Sequence, residues 1–530
     1  MVRINRLILS VDEDPGRLRE KAARVLGMDP EQLRSCTPVH QSIDARNKND
    51  VHYVYAVDVA ADGEEALVKR AASPQITLRQ DGEPYRFPEA TRSFPLSPVV
   101  VGSGPAGLFA ALCLARAGLK PILLERGQSL EQRVKDVNAF WKGGELNPES
   151  NVQFGEGGAG TFSDGKLTTG THDRRMTHVM ETFVEMGAPA DILYVQKPHV
   201  GTDVLREVVK NFRLELLRLG GEVRFGHRLS GIQTGNNHLT AVTVETHDGS
   251  ETLACDTLVL APGHSARDTF VMLRDARVAM EPKPFAIGVR IEHRQDRISR
   301  AQFGRFWEKL PPADYKLAYH LPSGRSAYTF CVCPGGQIVA AASQPGHLVT
   351  NGMSSRARDG EFINGGFLVG VTPADFGSGD PLAGMRFQEI WEEKAYRFGQ
   401  EGYCAPAQRV KDFLQGESSY QKHLRNCTYL PGIIPGDMRE ILPSYVTDTL
   451  AEALGVFQRK VDGFADTQAL LVGVETRTSS PVRILRGADG QSNIRGIYPC
   501  GEGTGYAGGI VSAAVDGVRA AEAVAVSRLD

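Results

Sequence analysis

The sequence predicts an α/β fold: one parallel-sheet domain, split in the chain, with a mixed α+β insertion and a small α+β module ahead of it. Three observations carry this. At 98–125 an apolar run, a glycine-rich turn, an Ala/Leu-rich stretch and a second apolar run follow one another, the order of a strand–helix–strand unit. A second stretch of strand, glycine-rich loop and helix stands at 497–525. Between them, residues 281 to about 470 alternate like strands around one long helical pattern, without another turn of the first type. The expected division is a module at 1–95, a discontinuous domain at 96–280 and 471–530, and an insertion at 281–470.

The bulk numbers bound the possibilities. A chain of 530 residues is long enough for two or three domains. A formal net charge of -3 gives no sign of a polyanionic partner, and the first 95 residues hold near-equal numbers of acids and bases, so no nucleic acid is expected. No apolar run approaches the ~18 residues of a membrane span, and no membrane partner is expected. The opening MVRINRLILSVDEDP turns acidic directly after its apolar stretch; it is read as a first strand and not as a secretion signal. The eight cysteines are scattered except Cys331 and Cys333, a pattern that fits a reducing cytoplasm better than a disulfide framework. No metal-ligand cluster stands out.

The first glycine-rich turn is VVVGSGPAG, residues 99–107. Its G-x-G-x-x-G spacing is weak alone in a chain with 57 glycines, but its context is specific. VVV reads as a buried parallel strand, AGLFAALCLARAG as a helix ended by Gly118, and PILLE as the next strand. Gly102 permits the tight turn, Gly104 lets backbone approach a pyrophosphate, and Gly107 lets helix and strand pack closely. Pro105 and Ala106 open the helix, whose free N–H groups and dipole suit phosphate. Glu125, at the end of the second strand, is placed to accept ribose hydroxyls and would repel a 2′-phosphate, which disfavours NADP at this turn. This is the Rossmann pattern, and by itself it does not separate NAD from FAD.

Two further stretches bear on the ligand. FGEGGAGTFSDGKLTTG, residues 154–170, is a loop able to wrap a flat or anionic group. IYPCGEGTGYAGGIVSAAVDG, residues 497–517, places a helix N-terminus near Gly509 where it could face a second part of a long ligand. GEVRFGHRL at 221–229 reads as a strand whose backbone could meet adenine. The segment 231–263 reads as an antiparallel meander leading into the strand LVLAPG.

With VGSGPAG and ER at 125–126, GEGGAGTFSDGKL, DTLVLAPGHSARD, GVRIEH, FCVCPGG, NGMSSRARDG and YPCGEGTGYAGGIVSAAVDG, the sequence resembles the FAD-dependent oxidoreductases of the glutathione-reductase superfamily. Within it, the closest likeness is to the bacterial group of uncharacterised FAD-dependent (NAD(FAD)-utilising) dehydrogenases. The resemblance implies a single Rossmann-type FAD-binding domain with an inserted α+β substrate domain. It implies that the first turn holds the FAD pyrophosphate and Glu125 the adenosine ribose, with Arg126 and Arg228 nearby. Gly158, Gly160, Thr161 and Leu167 of the second loop would pass along pyrophosphate and flavin. Pro262 and Gly263 would close the crossover. Gly501 and Glu502 would meet the ribityl chain and phosphate, although the superfamily often has Asp at the latter position. The helix from Gly509–Ile510 would face the flavin, where its dipole stabilises negative charge on reduction.

Four further features concern chemistry. Cys331 and Cys333 would share a face if FCVC is a strand, and a bond between them would close a small, strained ring. Of the two, Cys333 is the candidate for the active site. His293 is a candidate proton donor or anion ligand at the substrate face, or a hydrogen-bonded structural histidine. Arg358 could hold a substrate carboxylate or phosphate, or mark a surface turn. Pro262 stands where a hydroxylase-type motif would have Asp, which weakens a hydroxylase reading and leaves Arg267 as a structural contact. The expected activity is two-electron hydride transfer through flavin N5 on a small organic substrate, with NAD(P)H as a possible transient co-substrate. A flavin monooxygenase, a flavoprotein of RNA modification and a non-catalytic redox sensor are the alternatives. The N-terminal module is a candidate for oligomer contact, partner docking or a lid.

Overall fold

The computed structural model describes residues 1–530 apart from 81, 82, 84, 92, 93, 171, 378 and 528–530. A five-stranded parallel sheet forms its nucleotide-binding part. The strand order is Ile497–Pro499, Leu258–Leu260, Val99–Val101, Ile122–Glu125, Glu222–Phe225. The three central strands are short and largely apolar because both faces are covered: Val100, Leu123 and Val259 pack on helices, and Val99, Val101, Leu124, Leu258 and Leu260 pack on an antiparallel meander through Leu229, Leu239, Val242 and Val244. The chain runs from Val99–Val101 to one side and later returns on the other. The carboxyl ends of Val99–Val101 and Leu258–Leu260 therefore flank the topological switch point, where such sheets bind ligands.

Two helices cover that point. Pro105–Arg116 follows the first turn, with proline at its first position and an almost entirely buried Ala/Leu surface. Ile510–Ala525 lies against it so closely that a Cβ on Gly517 would come within 2.0 Å of the Ala106 carbonyl oxygen. The three-stranded meander Arg228–Gly235, His238–Thr246, Gly249–Ala254 flanks the sheet.

A seven-stranded mixed sheet makes the second large unit, ordered Ala318–His320, Ser326–Cys333, Phe362–Val371, Phe285–Arg294, Leu470–Glu475, Ala405–Arg409, Ile433–Pro435. Phe285–Arg294 pairs over its whole length with Phe362–Val371, and the helices Ala383–Phe398 and Ser444–Lys460 pack on this unit. Leu470–Glu475 belongs here, so the chain returns to the parallel sheet after this strand and not at 471. All six of its residues are buried, and such a continuous apolar run carries no alternation to say which sheet it joins.

The N-terminal segment begins with the strand Val2–Ser10 and forms an antiparallel four-stranded sheet carrying two helices, in the order β-α-β-β-α-β. It is tied to the rest by backbone bonds between Gln41 and Tyr194 and between Gln196 and Gln41, and by Lys309 Nζ on Asp12. No helix among the described residues is long and apolar enough to cross a membrane.

Candidate active site

A cavity of about 320 Å³ opens at the switch point and extends to the edge of the seven-stranded sheet. Its floor is the first turn. Gly102 has φ of 95°, and a Cβ there would sit 2.1 Å from the Ala261 carbonyl oxygen, so the turn and the neighbouring strand end admit only glycine. Gly107 is not in the wall; a Cβ on it would lie 1.8 Å from the Gly102 carbonyl oxygen, which is the close helix–strand packing its spacing predicts. Gly104 differs from both. It lines the cavity, has ordinary φ of -70°, and a Cβ there would meet nothing within 4 Å. The wall next to the helix N-terminus is thus open to a ligand at backbone distance.

Glu125 closes one end. It is 5% exposed, and its carboxylate accepts from Ser103 N and Oγ on one oxygen and from the Gly127 and Gly155 N–H groups on the other. Four donors fill a carboxylate's usual capacity, so Glu125 first of all ties three loops together at the cavity edge. Arg126 and Arg228 stand beside it and share Asp268, with Glu149 also on Arg126.

Glu502 lies in the middle of the cavity, 3.6 Å from His264 Nδ1. Part of its side chain faces the cavity, but the surrounding protein withholds water, and burial raises its carboxyl to about 7 against the pull of Lys283. Burial likewise holds the His264 imidazole down to about 3, so it stays neutral. Gly508, Gly509 and Ile510 bring the second helix N-terminus to the wall, opposite Gly158 and Gly160.

At the far end Asp164 is 1% exposed and accepts from Lys166, Arg358 and Ser354. Arg358 is therefore committed to a carboxylate of its own chain and not available to a substrate. Glu475 faces the cavity 2.8 Å from the fully buried Arg290, which also donates to the Cys331 carbonyl oxygen. Burial raises the Glu475 carboxyl to about 8, with Arg290 opposing.

The two expected catalytic residues are elsewhere. His293 is 2% exposed and packs among Tyr315 and Phe464, with Nε2 donating to the Phe464 carbonyl oxygen at 2.6 Å and Nδ1 facing the Tyr315 hydroxyl at 3.4 Å. Burial lowers it to about 4, and it does not line the cavity. Cys333 is completely buried; Cys331 occupies the wall instead. The strand bulges between Phe330 and Cys333, and Cys331 has φ of 41°, so the simple alternation that would put both thiols on one face fails. Thr161 and Leu167 are also buried behind the wall, Thr161 bonding the Glu156 carbonyl oxygen. The wall does contain Gly102, Gly104, Pro105, Ala106, Glu125, Arg126, Gly158 and Gly160. Arg228, Pro262, Gly263, Gly501, Glu502, Gly509 and Ile510 also line it. Lys166, in the second loop expected to pass along the ligand, and Asn351 also line it, whereas Cys331 and Glu475 were not foreseen as wall residues.

The two passages between the units are locked by one side chain. Glu392, on Ala383–Phe398, is fully buried and receives both Arg267, from the outgoing segment, and Arg477, from the returning one. Thr476 Oγ1 adds a further bond at 2.7 Å. Arg267 is the structural contact the sequence led us to expect. Among the described residues, no group of three His, Cys, Asp or Glu side chains could hold a metal.

These residues fit FAD. The cradle of backbone at Gly104, two helix N-termini and two buried polar atoms of cavity-lining residues without partners in the protein, His264 Nε2 and Thr350 Oγ1, suit a long ligand with anionic and polar parts.

Two family matches agree with that fit. Residues 96–269 match a family described as an FAD binding domain, residues 284–478 an FAD-dependent protein, C-terminal domain-like, and residues 1–60 a domain of unknown function. An uncharacterized protein of Clostridium beijerinckii is 46% identical over 525 residues, covering 98% of each chain. Among solved structures, a flavin-dependent brominase aligns over 81% of this chain and 79% of its own, at 11% identity and a TM-score of 0.36. A geranylgeranyl bacteriochlorophyll reductase-like protein of Thermoplasma acidophilum aligns over 80% of this chain and 76% of its own, at 12% identity and a TM-score of 0.35.

Proposed function

The chain belongs to one family with the Clostridium beijerinckii protein, carrying an FAD-binding domain and an FAD-dependent C-terminal domain, and from that premise we propose that it is an FAD-dependent oxidoreductase acting on a small organic molecule. The observation that carries the reading is the cavity itself, which joins the dinucleotide turn to a polar wall supplied by the second sheet. Bound FAD supplies two-electron hydride chemistry through its N5 position. The protein's own residues then have distinct tasks. The Gly104 turn and the Pro105 helix N-terminus would hold the pyrophosphate, and the Ile510 helix N-terminus would stabilise negative charge on the flavin. Phe330 and Val349 give the end supplied by the second sheet an apolar wall against which a substrate can rest. Glu475, which lines the cavity beside Arg290 and whose carboxyl burial raises, is the group placed to give or take a proton there.

NADH or NADPH is proposed as a visiting reductant, because among the described residues the second unit carries no further strand–turn–helix dinucleotide motif. Mixing the anaerobic holoprotein with NADH or NADPH and following flavin bleaching tests this. Bleaching by either within seconds is the expected result; no bleaching by either removes the nicotinamide step from the proposal.

Glu502 sets a pH dependence. Its folded value of about 7 lies above the ordinary carboxyl, so the native protein keeps this proton through a window where a solvated carboxyl has lost it. As pH rises through 7 a negative charge appears beside an anionic cofactor, and FAD affinity is expected to fall. Titrating apoprotein with FAD between pH 6 and 8 should show weakening with pH in the wild type and a nearly flat response in Glu502→Gln.

A further inference from the structure

We propose that Cys331 and Cys333 form a dithiol that exchanges with low-molecular-weight disulfides inside the cavity, Cys331 attacking and Cys333 resolving. The arrangement behind this is specific. The bulge and the left-handed backbone at Cys331 turn its side chain into the cavity wall, a strained conformation of the kind that collects at working sites. Cys333 stands directly behind, its thiol 3.4 Å from the Cys331 carbonyl oxygen, and neither is in a disulfide. The Cys333 thiol, Arg290 and Lys166 together lower the Cys331 thiol below an ordinary cysteine in spite of burial, while Cys333 is raised and keeps its proton. One nucleophile at the cavity wall with a protonated thiol behind it is the order that a two-step exchange requires. Cys331 lines the cavity beside Phe330, at the end supplied by the second sheet and away from the dinucleotide turn, where a small disulfide would enter and a folded protein would not.

In the first step the Cys331 thiolate attacks one sulfur of R–S–S–R. That S–S bond breaks, one RS⁻ leaves and takes a proton from solvent, and Cys331 holds the other half as a mixed disulfide. In the second step Cys333 gives up its proton and attacks the Cys331 sulfur, and the second RS⁻ leaves and is protonated. Two protein thiols are oxidised and one small disulfide becomes two thiols. The strain of so short a ring makes the product easily reduced again, as an exchanging site needs.

The test uses the holoprotein, hydroxyethyl disulfide at pH 7, and mass spectrometry of intact chain and peptides. Wild type is expected to release two thiols per chain, lose two hydrogens and yield a linked Cys331–Cys333 peptide. Cys333→Ser should stop at one mercaptoethanol adduct on Cys331, formed at least about tenfold faster than on Cys36, Cys404 or Cys427. Cys331→Ser should abolish the fast phase. Labelling of Cys331 no faster than those three, or a wild type that keeps the adduct without linking, would overturn the proposal. The wild-type peptide map decides it even if the buried Cys333→Ser fails to fold.

Discussion

Gly104→Val is expected to give a folded protein that has lost its FAD. The position accepts a side chain as far as the protein is concerned, with ordinary φ and nothing within 4 Å of a Cβ. The added methyl groups occupy the space beside the helix N-terminus that backbone contact with a pyrophosphate requires. A loss of about a hundredfold or more in FAD affinity follows, roughly 2.7 kcal/mol. The purified variant should be colourless, keep the far-ultraviolet circular dichroism of the wild type, and melt where the deflavinated wild type melts. Gly107→Val makes the contrast. Its Cβ would lie 1.8 Å from the Gly102 carbonyl oxygen, so that variant should fail to accumulate as folded protein.

Glu392→Ala is expected to have the largest effect on stability. Burial alone would raise this carboxyl, but Arg267 and Arg477 override it and hold the group well below the usual carboxylate range. Removing it strands two buried guanidiniums at both crossings between the units, a loss of about 3–5 kcal/mol. Urea unfolding at pH 7 should show the midpoint moving down by a corresponding amount. The pH dependence has a defined sign. A depressed carboxyl stabilises the native state fully above its unfolded pKa, and that contribution disappears as pH falls through the folded value. Wild type and variant should therefore differ most above about pH 5 and converge in acid.

The dinucleotide turn was legible because its chemistry is local. Glycine spacing, the flanking strands and Glu125 lie within 27 residues, and each is constrained by the same backbone geometry. The Glu392 lock was not legible. Its partners lie 125 and 85 residues away, and Glu392 sits in FQEIWEEKAY, where acids read as a solvated helix face. His293 misled for a related reason. Phe285–Arg294 is buried along almost its whole length, so a polar residue on it is as readily a hydrogen-bonded core group as a site residue. The cysteines show how one irregularity reverses a rule. Period-two alternation placed Cys331 and Cys333 together, and a single bulge sent one to the cavity and the other into the core. The helix Ser444–Lys460, with its β-branched and polar first turns, gave no pattern strong enough to mark it beforehand.

The most direct measurement is the cofactor content of the protein as purified. Its visible spectrum is recorded, the chromophore is released by heat, and chromatography identifies it. The account predicts flavin bands and about one FAD per chain, with the same value after reconstitution of apoprotein. A colourless protein that takes up NAD and not FAD would contradict it, since the turn at Gly102–Gly107 would then serve a nicotinamide dehydrogenase and the helix at Ile510 would have no flavin to face.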